Sequence, residues 1–118
     1  MFTLLSSVSE PEDIVDRSST QNRAFNWLIF DDPAQVCPDE ILNVTQRYVL
    51  ALLYYSTNGN DWSACNSADA NVVAPCGDAG GRTRFLDEAN VCLWFLNDCN
   101  GDTLTSIRLG TKLIHFLL

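Results

Sequence analysis

The chain holds a single histidine and only seven lysines and arginines against fifteen acids, a formal net charge of −8 over 118 residues. That shortage of base argues against nucleic acid as a partner, since affinity for a phosphate backbone is supplied by clustered Lys and Arg, and here Arg82 and Arg84 form the one close pair. No apolar run approaches the roughly 18 residues that a membrane helix needs; the longest extends from Tyr48 to Tyr55. The opening Met1–Ser6 lacks the basic and apolar regions of a signal peptide. No Cys-x-x-Cys pair marks a zinc site. His115 lies in the terminal apolar run with no nucleophile around it, and nothing in the order of the acids pairs two carboxylates for hydrolysis. Catalytic, cofactor and metal residues are therefore all expected to be none, and the chain is read as a non-enzyme.

What remains is globular. Hydrophobic residues make up 47% and charged residues 19%, an ordinary balance for one small domain with one core. Five cysteines in so short a chain point to an oxidising compartment. Together with the missing leader, this suggests an extracellular or cell-surface (luminal) protein whose targeting segment lies upstream.

The central stretch is Gln46 to Trp62, an apolar helix that stops at Asn58-Gly59 and delivers a tryptophan. Pro38-Asp39-Glu40 is placed at its start, with acids where the helix dipole favours them. Ile41, Val44, Tyr48, Leu52 and Tyr55 form the expected buried stripe, widened by Val49 and Leu53. Gly59 is assigned the positive φ of the helix stop. Asn43-Val44-Thr45 is formally a glycosylation acceptor, but helical placement makes it a poor one.

Upstream, residues 1–17 read as a flexible acidic lead-in, with Ser9 and Pro11 able to start one helical turn and the acids forming a solvated face. Ser18 with Gln21 gives a capping box for a short helix carrying Ala24, Trp27 and Leu28 on one face and ending near Phe30. Trp27 is assigned to the core, and Asp31-Asp32 before Pro33 to a turn. Downstream, residues 60–84 are a long polar loop that needs a staple. Cys65 and Cys76 bracket its middle, a closure of roughly 3 kcal/mol, although Cys37 competes for either partner. Asn100-Gly101 between β-prone runs signals a hairpin. Asp98, Asn100 and Asp102 alternate like calcium-loop oxygens, but the rest of a calcium loop is missing and a tight turn explains them.

The run Leu104-x-x-Ile107-x-Leu109 does not alternate strictly. It follows the opening of a leucine-rich repeat. Before it stands Cys92-x-Trp94-x-x-x-x-Cys99, and before that a helix matching Arg-Tyr-x-Leu-Ala-x-x-Tyr-Tyr-x-Thr-x-Gly-x-x-Trp through Arg47, Tyr48, Leu50, Ala51, Tyr54, Tyr55, Thr57, Gly59 and Trp62. In this order the elements resemble the N-terminal cap of secreted or cell-surface leucine-rich-repeat proteins of the diatom or algal type, over about residues 18–109. Leu96 and Asn97 stand where that pattern has Gly and Val. Lys112 and Phe116 depart from a continuing repeat, so 110–118 is expected to be a truncated or altered repeat start.

The resemblance implies a mostly α chain with a small β element (α+β): two helices, a long cysteine-containing loop and a short terminal hairpin. It implies a Cys92–Cys99 bond, worth roughly 2.5 kcal/mol by loop-closure arithmetic, that fixes Trp94 beside the strand. The structural core is expected at Trp27, Tyr48, Leu52, Tyr55, Trp62, Trp94, Leu104, Ile107 and Leu109. Functionally it implies a non-catalytic cap that shields the end of a repeat core and supports recognition of protein partners, with the strand's edge offered to the first repeat. Self-association through the exposed terminal strand follows when no repeat is stacked there. The alternative is a small disulfide-stabilised binding module acting on its own through Trp62 or the 63–84 loop.

Overall fold

A computed structural model describes residues 2–62, 65, 83–94, 97–109 and 112–115. The expected Cys76 and most of the 60–84 loop lie outside the described residues, as do the side chains of Leu109 and His115. The fold is a small α+β domain: α1 (Phe2–Leu5), α2 (Pro11–Val15), α3 (Thr20–Asn26), α4 (Ile41–Ser56) and strands β1 (Asn97–Asn100), β2 (Thr103–Leu109) and β3 (Lys112–His115). Helices therefore outnumber the expected two.

The N-terminal segment is not a loose lead-in. Leu5 and Ile14 are both fully buried in the core, and Ser9 Oγ accepts a hydrogen bond from the Tyr48 hydroxyl at 2.8 Å. Pro11 opens α2 behind an extended Glu10, where its missing N–H costs nothing. The cap of α3 is Ser19, one residue beyond the expected Ser18: its Oγ accepts from the Asn22 amide at 2.9 Å. Ser18 instead gives its amide and hydroxyl to the Asp16 carboxylate, and these bonds hold that carboxyl below its usual range. Asn22 donates back to Ile14 O, tying α3 to α2.

After Asn26 the helix widens into one π turn over Trp27–Asp31, closed by the Asp32 amide on Trp27 O at 2.7 Å. The chain then passes Pro33 and Pro38 and enters α4 through Glu40, whose carboxylate accepts from the Cys37 amide at 2.7 Å. The acids precede α4 instead of filling its first turn.

The buried positions of α4 are Val44, Gln46, Arg47, Tyr48, Leu50, Ala51 and Tyr54. Ile41, expected at the head of the stripe, is 61% exposed, and Leu52 and Tyr55 are only partly buried. The helix is covered on two sides, by α1 and α3 and by the Val91–Leu93 turn with the sheet behind it. The phase of one apolar stripe therefore misplaces its face. At its end the left-handed residue is Asn58, at φ 54°. Gly59 is required for a different reason: a Cβ there would stand 2.1 Å from the Tyr54 ring. The helix stop thus uses Asn for backbone geometry and Gly for close approach.

The sheet runs β1-β2-β3, antiparallel throughout. Gly101 (φ 63°) and Asp102 form the two-residue loop joining β1 to β2, Gly standing at the first central position where a type II′ turn needs positive φ. The register shifts opposite Asp98/Cys99, so Thr105 is an extra residue on β2. This bulge explains how Leu104 and Ile107, an odd number of positions apart, are both fully buried. β3 pairs with β2 along Ser106–Leu109, which corrects the expectation that β2 has a free edge: it is the central strand.

Candidate functional site

The most elaborate constellation of polar side chains lies under the middle of α4, around Arg47. Its side chain is 3% exposed and faces a fully buried Asp32. Nε and Nη2 meet the two carboxylate oxygens at 2.8 and 2.6 Å, a bidentate pair. Nη1 donates to Ala89 O at 2.9 Å and Nη2 to Asp87 O. The guanidinium carbon stands 5.0 Å from the Trp94 ring and 5.6 Å from Trp27, whose rings meet edge-to-face at 6.3 Å. Trp94 Nε1 shares the Ala89 carbonyl at 3.1 Å. One cation thus joins the π turn, α4 and the 87–94 segment.

Asp32 is accordingly more than a turn residue, although it also caps the turn by accepting from the Ala34 amide. Asp31 remains at the surface, so the adjacent pair is split between solvent and core.

Its neighbour Gln46, fully buried, performs a second junction. Nε2 donates to Asp102 O at 3.1 Å and Oε1 accepts from the Leu104 amide. The side-chain amide thus reads both a carbonyl and an N–H of the hairpin, as a neighbouring strand would. Sequence reasoning gave neither residue this role. The available signal was two adjacent polar residues inside an apolar helix, which cannot both face solvent when their neighbours on each side are buried.

Of the aromatic residues expected in the core, Trp27, Tyr48 and Trp94 are buried and Tyr55 and Trp62 only partly so, while Tyr54 and Phe85 are fully buried without having been expected there. Trp62 lies 5.1 Å from Tyr54 and 5.0 Å from Phe85, and Phe85 lies 5.2 Å from Trp94. With Trp27 this is a continuous band of rings from the helix stop to the π turn, in the edge-on and offset geometries such rings favour. Burial raises the Tyr48 hydroxyl above its ordinary range, the Ser9 bond opposing and Asp13 adding to the shift. Tyr55 is raised chiefly by burial as well, against the pull of Arg23, whose guanidinium stands 4.2 Å over its ring.

Cys92 and Cys99 are bonded, with Cα atoms 5.6 Å apart. Cys65 is buried and disulfide-bonded, and Cys37 is free and exposed. Asp98 and Asn100 are strand residues and Asp102 a turn residue. Among the described residues no three His, Cys, Asp or Glu side chains converge on a metal-sized site. Among them, too, no helix is long and apolar enough to cross a membrane.

Clefts open on both sides of α4. One, of about 240 Å³, opens above Arg47 between Val36, Glu40, Asn43, Glu88 and Asn90. Another, of about 510 Å³, lies along α3 between Arg17, Arg23, Asn26, Asp31 and Tyr55. In the first, the guanidinium is already engaged by protein acceptors, so it is a structural floor to the cleft and not a reagent. In the second, Ser18, Ser19 and Asn22 are occupied by internal hydrogen bonds. Around Arg47 and Gln46 the polar side chains act as ties between elements, each bonded to protein groups.

Comparison of the chain with family models, with curated proteins and with solved structures finds no match.

Proposed function

We propose that the chain is a non-catalytic capping and interaction module that closes the apolar end of a leucine-rich-repeat stack on the secreted or cell-surface side of a membrane. The observation that carries this reading is the Gln46 junction. It locks the main helix directly behind the hairpin, so that rod and ribbon form one plate with the aromatic band inside. The Cys92–Cys99 bond clips the same ribbon and favours an oxidising compartment. A cap needs such a plate: a hydrophobic layer turned toward the stack and a charged outer face toward solvent. The net charge of −8 suits the outer face and sets the module against polyanionic partners. Because β2 is central, the edge presented to the stack, or to a second copy when no stack is present, is that of β3.

The test is a fusion ahead of a leucine-rich-repeat array stripped of its own N-terminal cap. A working cap restores a soluble monomer that unfolds in one cooperative step. An array that still aggregates behind a folded, oxidised module rejects the proposal. The second reading, a binding module in its own right, draws on the open cleft between Arg17, Arg23 and Tyr55. Under it, alanine at Arg17 weakens partner binding while leaving thermal stability unchanged.

A further inference from the structure

Two Asn-Gly steps occur in the described chain, and the fold treats them oppositely. Asn58-Gly59 ends α4. Asn58 is held in the left-handed region, Gly59 is buried, and the turn is tied by Asp61 N to Asn58 O at 2.8 Å, Trp62 N to Gly59 O at 3.0 Å and Trp62 Nε1 to Thr57 O at 3.3 Å. The Tyr54 ring packs against Gly59 so closely that no added atom fits. Asn100-Gly101 lies at the tip of the hairpin. Both residues are exposed, a Cβ on Gly101 would meet nothing within 4 Å, and among the described residues neither the Asn100 carboxamide nor the Gly101 amide has a hydrogen-bond partner.

We infer that Asn100 is a site of spontaneous succinimide formation, deamidation and isoaspartate conversion, and that the fold protects Asn58 from the same reaction. The Gly101 nitrogen attacks Asn100 Cγ. A C–N bond forms, the amide nitrogen leaves as ammonia carrying the proton lost by the Gly101 N–H, and a five-membered succinimide results. Water then opens either carbonyl, giving aspartate or isoaspartate. No redox partner is needed. Glycine at the second position removes the side chain that would obstruct the attacking nitrogen, and an exposed two-residue turn can rotate into the closing geometry. At Asn58 the same rotation would break the hydrogen bonds of the helix stop and drive the peptide into Tyr54.

The product has a structural consequence. Isoaspartate adds a carbon to the backbone immediately before the two-residue loop, and either product adds a negative charge. Lengthening the loop displaces Asp102 O, which receives the Gln46 amide, so the modification loosens the hairpin from α4.

The experiment is a time course of the oxidised full chain in mildly alkaline buffer, followed by proteolysis and mass spectrometry with isoaspartate detection at both sites. Since a net hydrogen bond is worth a factor of roughly five, and several must open at Asn58, conversion at Asn100 is expected to be at least roughly tenfold faster. In urea with reductant the two rates should converge, which assigns the difference to the fold. Equal or faster conversion at Asn58 in the folded chain overturns the inference, as does a difference that persists undiminished in urea. Asn100→Gln, which cannot close the same ring, should abolish the fast phase; its persistence would also overturn the assignment.

Discussion

Arg47 and Asp32 illustrate how one residue pair can matter more by its loss than by its presence. Both are withdrawn from water, and the cost of desolvating two ions offsets much of their attraction. The pair by itself is therefore weak evidence of net stability. Removing one member is another matter, because the survivor stays buried without its counter-charge. Asp32→Ala is expected to destabilise the chain by about 3–5 kcal/mol, a large share of a total that for small domains is about 5–15 kcal/mol. The double change Asp32→Leu with Arg47→Met should cost much less than the sum of the two single changes, since it removes the charges together. Urea midpoints of Asp32→Leu, Arg47→Met and the double variant, compared in one cycle with the parent and with Asp32→Ala alongside, measure this. An Asp32→Ala midpoint equal to that of the parent would mean that the guanidinium finds water or another acceptor and that the junction does not hold the π turn.

At the scale of elements, Gln46 ties the hairpin to α4 by two hydrogen bonds. Gln46→Leu fills similar space but leaves the Leu104 amide buried without its acceptor, a penalty of about 1–3 kcal/mol. The expected outcome is a fast-exchanging Leu104 amide and an unchanged helical signal, read by hydrogen exchange and circular dichroism on the oxidised chain. Loss of the helix as well would show that α4 depends on the sheet and not only the reverse. These dependences explain what the sequence made legible. The hairpin, the α4 span and the core positions of Trp27, Tyr48 and Trp94 each leave a local mark: a turn dipeptide, an apolar run, a large aromatic; the Cys92–Cys99 closure came only with the family resemblance. The phase of α4 left none, because a helix covered on two sides has no single stripe. Gln46 and Arg47 were marked only as two adjacent polar residues inside an apolar helix; their partners were not legible, since a polar residue satisfied by protein is spelled the same way as one satisfied by water. The antiparallel return of β3 depends on pairing with β2, which the residues of β3 do not encode alone, and the Leu-x-x-Ile spacing that suggested a repeat strand is equally the spacing a bulge produces.

Among the described residues of the whole molecule, the N-terminal helices pack into the same core as α4, and this separates two pictures of the chain. If residues 1–17 were an acidic lead-in, substitutions there would be silent. Instead, Leu5 and Ile14 are fully buried against the same core as Tyr48 and Trp27, and Asn22 and Tyr48 reach across to Ile14 O and Ser9 Oγ. Truncating either apolar side chain removes its burial and leaves a cavity that the surrounding helices only partly fill. Leu5→Ala and Ile14→Ala are each expected to cost about 2–5 kcal/mol, on the scale of a central core position. Val15→Ala, one residue along α2 but 62% exposed, should be close to neutral. Thermal or urea unfolding of the three variants decides between the pictures. Near-neutral values at Leu5 and Ile14 would make α1 and α2 an appendage to a core beginning at α3. A large effect at both, with Val15→Ala silent, requires the first seventeen residues to fold together with α4 as one cooperative unit, so that any excision of the cap-like region must carry them to remain folded.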